Sequence, residues 1–185
     1  MFIVIFELIE DEGTLHFQHF MKLNPLYVVG LIEGEGCFCI TISKHKTNKS
    51  GLDPRLMFEV EMIIDDKPLL EKLQKTFRCG HIYVLNYERY GWRPHVKYAI
   101  KNQKHIEGVL IPFFKKYKLV GKKKKDFDYF CEASKIFETG QHRTKEGIIK
   151  LKKIQSKMNL RKKLKVSSAR VRENRAPGGE RSFAQ

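Results

Sequence analysis

The spacing of apolar residues changes period repeatedly between Asn24 and Met158, and each change predicts an element. Asn24 and Pro25 supply a helix cap and a first helical residue, so a short helix is expected from Leu26 to about Glu35, closed by Gly36. Strict alternation follows. Phe38, Ile40 and Ile42 fall on one face and Cys37, Cys39, Thr41, Ser43 and His45 on the other, the pattern of a half-buried strand. Thr47 to Pro54 reads as a polar turn. The return strand puts Phe58, Val60 and Met62 inward and Arg55, Met57, Glu59 and Glu61 outward.

Asp66 is placed to cap a second helix through Pro68, Leu69, Leu70, Leu73 and Phe77, with Gly80 as its breaker. In the next hairpin Ile82 and Val84 alternate with His81, Tyr83 and Leu85. A turn at Tyr90-Gly91 leads to an inward set of Val96, Tyr98 and Ile100 and an outward set of Arg93, His95, Lys97, Ala99 and Lys101. Ile106, Val109, Leu110, Phe113 and Tyr117 mark a third helix that tolerates Pro112. Two further helices carry Phe127, Phe130, Cys131 and Phe137, then Ile148, Leu151, Ile154 and Met158. The order α-β-β-α-β-β-α plus two helices implies an α+β fold: an antiparallel sheet with helices over one face and a polar face left open.

The termini differ in character. Met1 to Ile9 is apolar but interrupted by Glu7 and not preceded by a basic residue, so it does not fit a signal peptide. Residues 1–20 are expected to be an extension, residues 21–163 the domain, and residues 164–185 a flexible tail with scattered charges, few apolar residues and an Ala-Pro-Gly-Gly stretch.

Composition narrows the partners. Among 185 residues, Lys+Arg 36 against Asp+Glu 21 gives a net charge of +15. Hydrophobic content of 42% excludes a wholly disordered chain, and no apolar run approaches the roughly 18–20 residues of a membrane span. A polyanion is the default partner. The open sheet face then has two readings, a surface that lies in a DNA groove or a merely solvated one. Four cysteines, Cys37, Cys39, Cys79 and Cys131, are irregularly spaced, and Cys37-x-Cys39 is too close for a zinc pair. That pair reads as small buried or groove-facing thiols, and the cysteine usage implies a reducing, intracellular compartment.

Val28-Val29-Gly30-Leu31-Ile32-Glu33-Gly34-Glu35-Gly36 is the most unusual segment. Gly30 and Gly34 share one helix face, and each costs on the order of 1 kcal/mol there, which close approach of a second helix would offset. Glu35 falls at the helix C-terminus, where the dipole disfavours an anion by about 0.3–1 kcal/mol, so it is either solvated or paired with a cation.

These nine residues, followed by Cys37 and Phe38, resemble the LAGLIDADG signature of homing endonucleases in its glutamate-containing variant. The resemblance runs from about Asn24 to Phe137, including the αββαββα order, the Phe58-to-Leu73 strand-helix unit and the Pro112-to-Phe127 region. It implies a saddle-shaped sheet and an intron-encoded, site-specific double-strand DNA endonuclease with a long pseudo-palindromic target, for instance in a ribosomal RNA gene. One signature per chain implies a homodimer joined through Val29, Gly30, Glu33 and Gly34. Glu35 and the main-chain oxygen of Gly34 would hold Mg2+, for which Mn2+ or Ca2+ can substitute in binding. The family's basic residue near the scissile phosphate falls in Gly121-Lys122-Lys123-Lys124-Lys125, with Lys122 and Lys123 aligning best. The DNA-facing set is Cys37, Cys39, Thr41, Ser43, His45, Arg55, Met57, Glu59, Glu61, His81, Tyr83, Leu85, Arg93, His95, Lys97 and Lys101 on the strands, with Lys124 beside them.

One departure stands out: where a polar residue often orders active-site water, this chain has Met62-Ile63-Ile64. No organic cofactor and no membrane association are expected, and the location is the cytoplasm of a prokaryote or an organelle matrix. The alternatives on the same scaffold are an RNA maturase assisting intron splicing and a non-catalytic DNA-binding regulator.

Overall fold

The computed structural model describes residues 22–48 and 50–158; the expected extension and tail lie outside them. Chain order is α1 (Pro25–Glu35), β1 (Gly36–Lys44), β2 (Leu52–Ile63), α2 (Lys67–Phe77), β3 (His81–Leu85), β4 (His95–Ile100), α3 (Gln103–His105), a π-helical turn (Ile106–Leu110), α4 (Ile111–Lys116), α5 (Lys122–Glu138) and α6 (Lys145–Met158). The strands form one antiparallel sheet in the order β1-β2-β4-β3, so the two hairpins meet along β2 and β4.

One face of that sheet carries the core. Phe38, Ile40, Leu56, Phe58, Val60, Val96, Tyr98 and Ile100 are buried against Val28 and Ile32 of α1, Leu70 and Leu73 of α2, Phe114 of α4 and Phe130 of α5. The centre is aromatic: the Phe38 ring lies 5.2 Å from Phe58 and 5.3 Å from both Phe127 and Phe130. Truncating a ring such as Phe58, which has no exposed surface, would cost about 3–5 kcal/mol. On the edge strand β1, Gln155 of α6 donates to the Ile40 carbonyl at 2.6 Å, which occupies an acceptor that strand pairing leaves open.

Three local expectations need correction, and one holds with its geometry now defined: Gly36 closes α1, in an extended conformation (φ −69°, ψ 150°). A Cβ there would meet Ile32 Cγ2 at 2.4 Å, and only glycine lets the helix turn directly into β1. Asp66 stands before α2 without a side-chain capping bond, because a 3-10 turn, Ile64–Asp66, precedes the helix. It is Arg78, at φ 55°, that closes α2, rather than Gly80. Val84, expected to face inward, is 62% exposed on β3, the edge strand at the other end of the sheet from β1.

Pro112 is tolerated as expected, and the reason is visible. A residue without an N–H, whose ring crowds the preceding turn, follows the wide π-helical turn Ile106–Leu110, where the i−4 ladder is already relaxed.

Candidate functional site

The C-terminus of α1 runs into β1 with no loop between them, so Glu33, Gly34, Glu35 and Gly36 sit on a rigid helix–strand junction. Gly36 donates its N–H to the Ile32 carbonyl. The two acids of the segment have opposite fates. Glu33 Oε1 accepts the backbone N–H groups of Val120 at 2.6 Å and Gly121 at 2.8 Å. Glu35 is exposed and joins none of the ion pairs or side-chain hydrogen bonds among the described residues.

α5 brings the lysine run to the same junction, and its members separate by environment. Lys123 is half-buried and its ammonium donates to the carbonyl oxygen of Gly36, the residue after Glu35. Lys124 points elsewhere, pairing with Asp128 one turn on at 2.6 Å. Lys122 and Lys125 are exposed. Cys37, the first outward side chain of β1, is exposed, and its thiol is held down at about 7 by a hydrogen bond from Cys39 and by the Lys123 ammonium, against partial burial. Cys39 is driven up by the same pairing and by burial, and its sulfur lies 3.3 Å from the Met57 carbonyl oxygen, a second acceptor for the same proton. Junction, half-buried lysine and thiols make a notch beside the exposed Glu35 carboxylate.

The opposite flank of α1 is bare. Gly30 and Gly34 are exposed, and a Cβ built at either would meet nothing within 4 Å. Leu26, one turn before Gly30, is 72% exposed, and Tyr27 is 51% exposed. Periodicity did not single out these two residues, although Leu26, Gly30 and Gly34 recur every four positions. Val29 is half-buried against the core and the Glu33 carboxylate turns to α5, so both lie beside this stripe rather than on it.

The open sheet face carries the expected outward residues, in rows set by the register. Cys37, Glu59, Ala99 and His81 form one row, Glu61, Lys97 and Tyr83 the next, and Ile63, His95 and Leu85 a third. Arg55 opposes Thr41, and Met57 opposes Cys39. Ser43 and His45 lie toward the β1–β2 turn.

The charges on this face are largely paired. Lys97 Nζ lies 2.9 Å from Glu61 and 3.6 Å from Glu59, and the Tyr87 hydroxyl donates to Glu61 at 3.0 Å. Arg55 pairs with Asp53 at 2.7 Å, Arg93 with Asp65 at 2.7 Å, and Lys101 stands 4.6 Å over the Tyr83 ring. Ala99, although on the outward register, is buried beneath its neighbours.

Sequence reading missed the aromatic group at the end of this face: Tyr87 with Tyr90, Trp92 and His95, at centroid distances of 5.1 to 6.5 Å. Tyr87, Tyr90 and Trp92 come from the β3–β4 turn, where no period could group them with His95 of β4. Met62, Ile63 and Ile64 are half-buried and apolar, so they offer no side chain to order water.

Residues 28–134 match the LAGLIDADG endonuclease family. Over 126 residues the chain is 30% identical to the probable intron-encoded endonuclease 3 of Neurospora crassa, and over 148 residues it is 28% identical to the probable intron-encoded endonuclease 2 of the same fungus. These alignments take in 68% and 78% of this chain but 22% and 32% of those proteins, so the chain spans less than a third of the curated relatives it matches. Among solved structures, the homing endonuclease I-TnaI superposes with a TM-score of 0.68 at 33% identity, over 75% of this chain and 90% of that one. The meganuclease I-SmaMI bound to uncleaveable DNA gives 0.69 at 28% identity, over 74% and 45%.

Proposed function

This chain belongs to the LAGLIDADG endonuclease family, and from that premise we propose that it hydrolyses phosphodiester bonds in duplex DNA at a long, specific, pseudo-palindromic target, using divalent metal and acting as a two-fold dimer. The observation that carries the reading is the exposed, unpaired Glu35 carboxylate on a rigid junction, with Lys123 fixed one residue away on Gly36.

The donor set fits magnesium. Mg2+ favours one or two carboxylates with carbonyl, water and phosphate oxygens over a closed protein cage, and Glu35 with the Gly34 carbonyl offers such a set. Mn2+ or Ca2+ would substitute in binding, and I-SmaMI has been seen on its uncleaved target in the presence of calcium ions. When bound, the metal supplies charge neutralisation for the phosphate and lowers the pKa of attacking water. The protein's own contributions are electrostatic and geometric. The rigid junction holds Glu35 in place, and the Lys123 ammonium stands where it can offset charge on a phosphate brought to the notch. Lys122 is the exposed neighbour available to the same phosphate.

A single notch serves one strand. The Leu26–Gly30–Gly34 stripe lets the backbone of a second α1 approach closely, and a C2 arrangement would bring two Glu35 carboxylates to one axis. The outward residues of the four strands, Thr41, Ser43, His45, Arg55, His81, Tyr83 and their row neighbours, would then face the major groove on either side. Relatives named as intron-encoded support an intron homing role and a place inside the cell. No described helix is long and apolar enough to cross a membrane.

The test is cleavage of a genomic or randomised DNA library with Mg2+ present, followed by Glu35→Gln. The expected result is a double-strand cut at one target, abolished by the substitution, while target affinity stays within about tenfold, or 1.4 kcal/mol. A Glu35→Gln protein that still cuts at the original rate would overturn the assignment.

A further inference from the structure

Four lysines open α5, at the end of a helix where the dipole disfavours cations, and Gly121 before them provides no side-chain cap. The first turn of α5 contains no acid either. The compensating charge comes from far away in sequence: Glu33 accepts the N–H groups of Val120 and Gly121, 87 and 88 residues on. Two helix-terminal donors that would lack intrahelical partners are thereby satisfied by a carboxylate, and the carboxylate meets the positive end of the dipole. The fit is close, since a Cβ on Gly121 would stand 2.7 Å from Glu33 Oε2.

The same two elements are tied a second time. Lys123, in the first turn of α5, returns to α1 by donating to the Gly36 carbonyl. Glu33 to Gly121, Gly121 to Lys123, and Lys123 to Gly36 therefore close a ring around the helix–strand junction, with Glu35 between its ends. We infer that Glu33 is the positioning residue of the site: its carboxylate fixes the start of α5 and thereby sets Lys123 against the junction that carries Glu35. This rests on the proposed nuclease reading for its consequence, but the positioning itself is a property of the free protein.

Two experiments separate those levels. In the free protein, isotope-coded acetylation with mass-spectrometric readout compares Lys123 with its neighbour Lys122. Lys123 should react more slowly in the wild type and lose that protection in Glu33→Ala. Equal reactivity of the two lysines in the wild type, or protection that survives Glu33→Ala, would overturn the inference whether or not the protein cuts DNA.

In cleavage, Glu33→Ala should lower kcat by about tenfold or more while target affinity changes by less than about threefold. A double-mutant cycle tests the route: in a Lys123→Ala background, Glu33→Ala should have little further effect on kcat. Independent, multiplying losses would show that Glu33 does not act through Lys123. Should Glu33→Ala unfold, Gly121→Ala offers the same test with Glu33 present. Its methyl group meets the Glu33 carboxylate first, at 2.7 Å from Oε2, and should displace it without removing the side chain, reproducing the loss of Lys123 protection. Retained protection in folded Gly121→Ala would count against the ring.

Discussion

Lys97 on β4 and Glu61 on β2 face each other across the open side of the sheet, 2.9 Å apart, and Glu59 lies 3.6 Å from the same ammonium. One cation thus stands between two carboxylates in the middle of a surface proposed to bind DNA. Such a cluster has net negative charge, so the phosphates cannot be drawn to it, and its value must lie in ordering the face or in accepting from a base such as cytosine. Partial burial opposes ionisation of Glu61, but the Lys97 ammonium and the Tyr87 hydroxyl together hold its carboxyl below its ordinary range.

Removing one acid should therefore release the lysine. Glu61→Gln is expected to tighten non-specific DNA binding and to steepen the dependence of log affinity on log salt by about 0.9, the contribution of one freed phosphate contact. Titrations of a non-target duplex at several salt concentrations measure this. An unchanged slope would mean that Lys97 stays engaged with Glu59.

Gly30→Leu separates assembly from folding. Within one chain a Cβ at this exposed position meets nothing within 4 Å, and replacing a helical glycine should leave the monomer as stable or stabilise it by up to about 1 kcal/mol. Two such helices could no longer approach to the close spacing that glycine permits. Sedimentation should show a dimer converted to a monomer with an undiminished melting temperature. A wild type that sediments as a monomer with and without DNA would defeat the proposed dimer.

Gly36→Ala should behave in the opposite way. Its methyl group would stand 2.4 Å from Ile32 Cγ2 and 2.8 Å from the Ile32 carbonyl oxygen, so the junction itself must open. Overpacking of this kind costs about 1–3 kcal/mol, which urea unfolding would report as a lower midpoint at constant m-value.

His142 predicts a pH effect. Its ring stacks on Phe137 at 4.5 Å, its Nδ1 is buried without a hydrogen-bond partner, and Arg143 is adjacent. Burial first, and the Arg143 charge second, lower its pKa below the ordinary 6.5, although backbone acceptors at Ile136 and Phe137 and the Asp53 carboxylate oppose the shift. A depressed histidine pKa means that the unfolded chain takes up the proton first. Its contribution is therefore fully present above pH 6.5 and is lost as pH falls through the folded-state value. Melting temperatures across that window should fall less in His142→Phe, which keeps the stack and cannot charge.

How much of this was legible in the residues can be judged element by element. The alternation around Phe38 and Phe58 and the spacing of Leu70, Leu73 and Phe77 depend on neighbours within a turn or two, so the sheet, its covered face and its helices could be read directly. So could the segment from Val28 to Gly36, because two glycines on one helix face and an acid at the helix end are local facts. Local reading failed where a neighbour lay far along the chain. Val84 has the pattern of an inward residue, but only the order β1-β2-β4-β3 puts its strand at an edge of the sheet.

The sequence by itself determined the α+β order, the open polar face and the exposed end of the signature helix, because periodicity and capping are written in adjacent residues. Tertiary structure alone decided which charges meet. Four consecutive lysines are equivalent as letters, and only the packing of α5 on the α1–β1 junction sends Lys123 to Gly36 and leaves Lys124 to Asp128. Glu33 and Glu35 differ by two positions, yet the path of the chain 88 residues later gives one of them two N–H donors and leaves the other free. Lys97 and Glu61 share a face by alternation, but they touch because β2 pairs with β4 in a particular register. Electrostatic partners are set by distance in space, and a one-dimensional pattern records distance only along the chain.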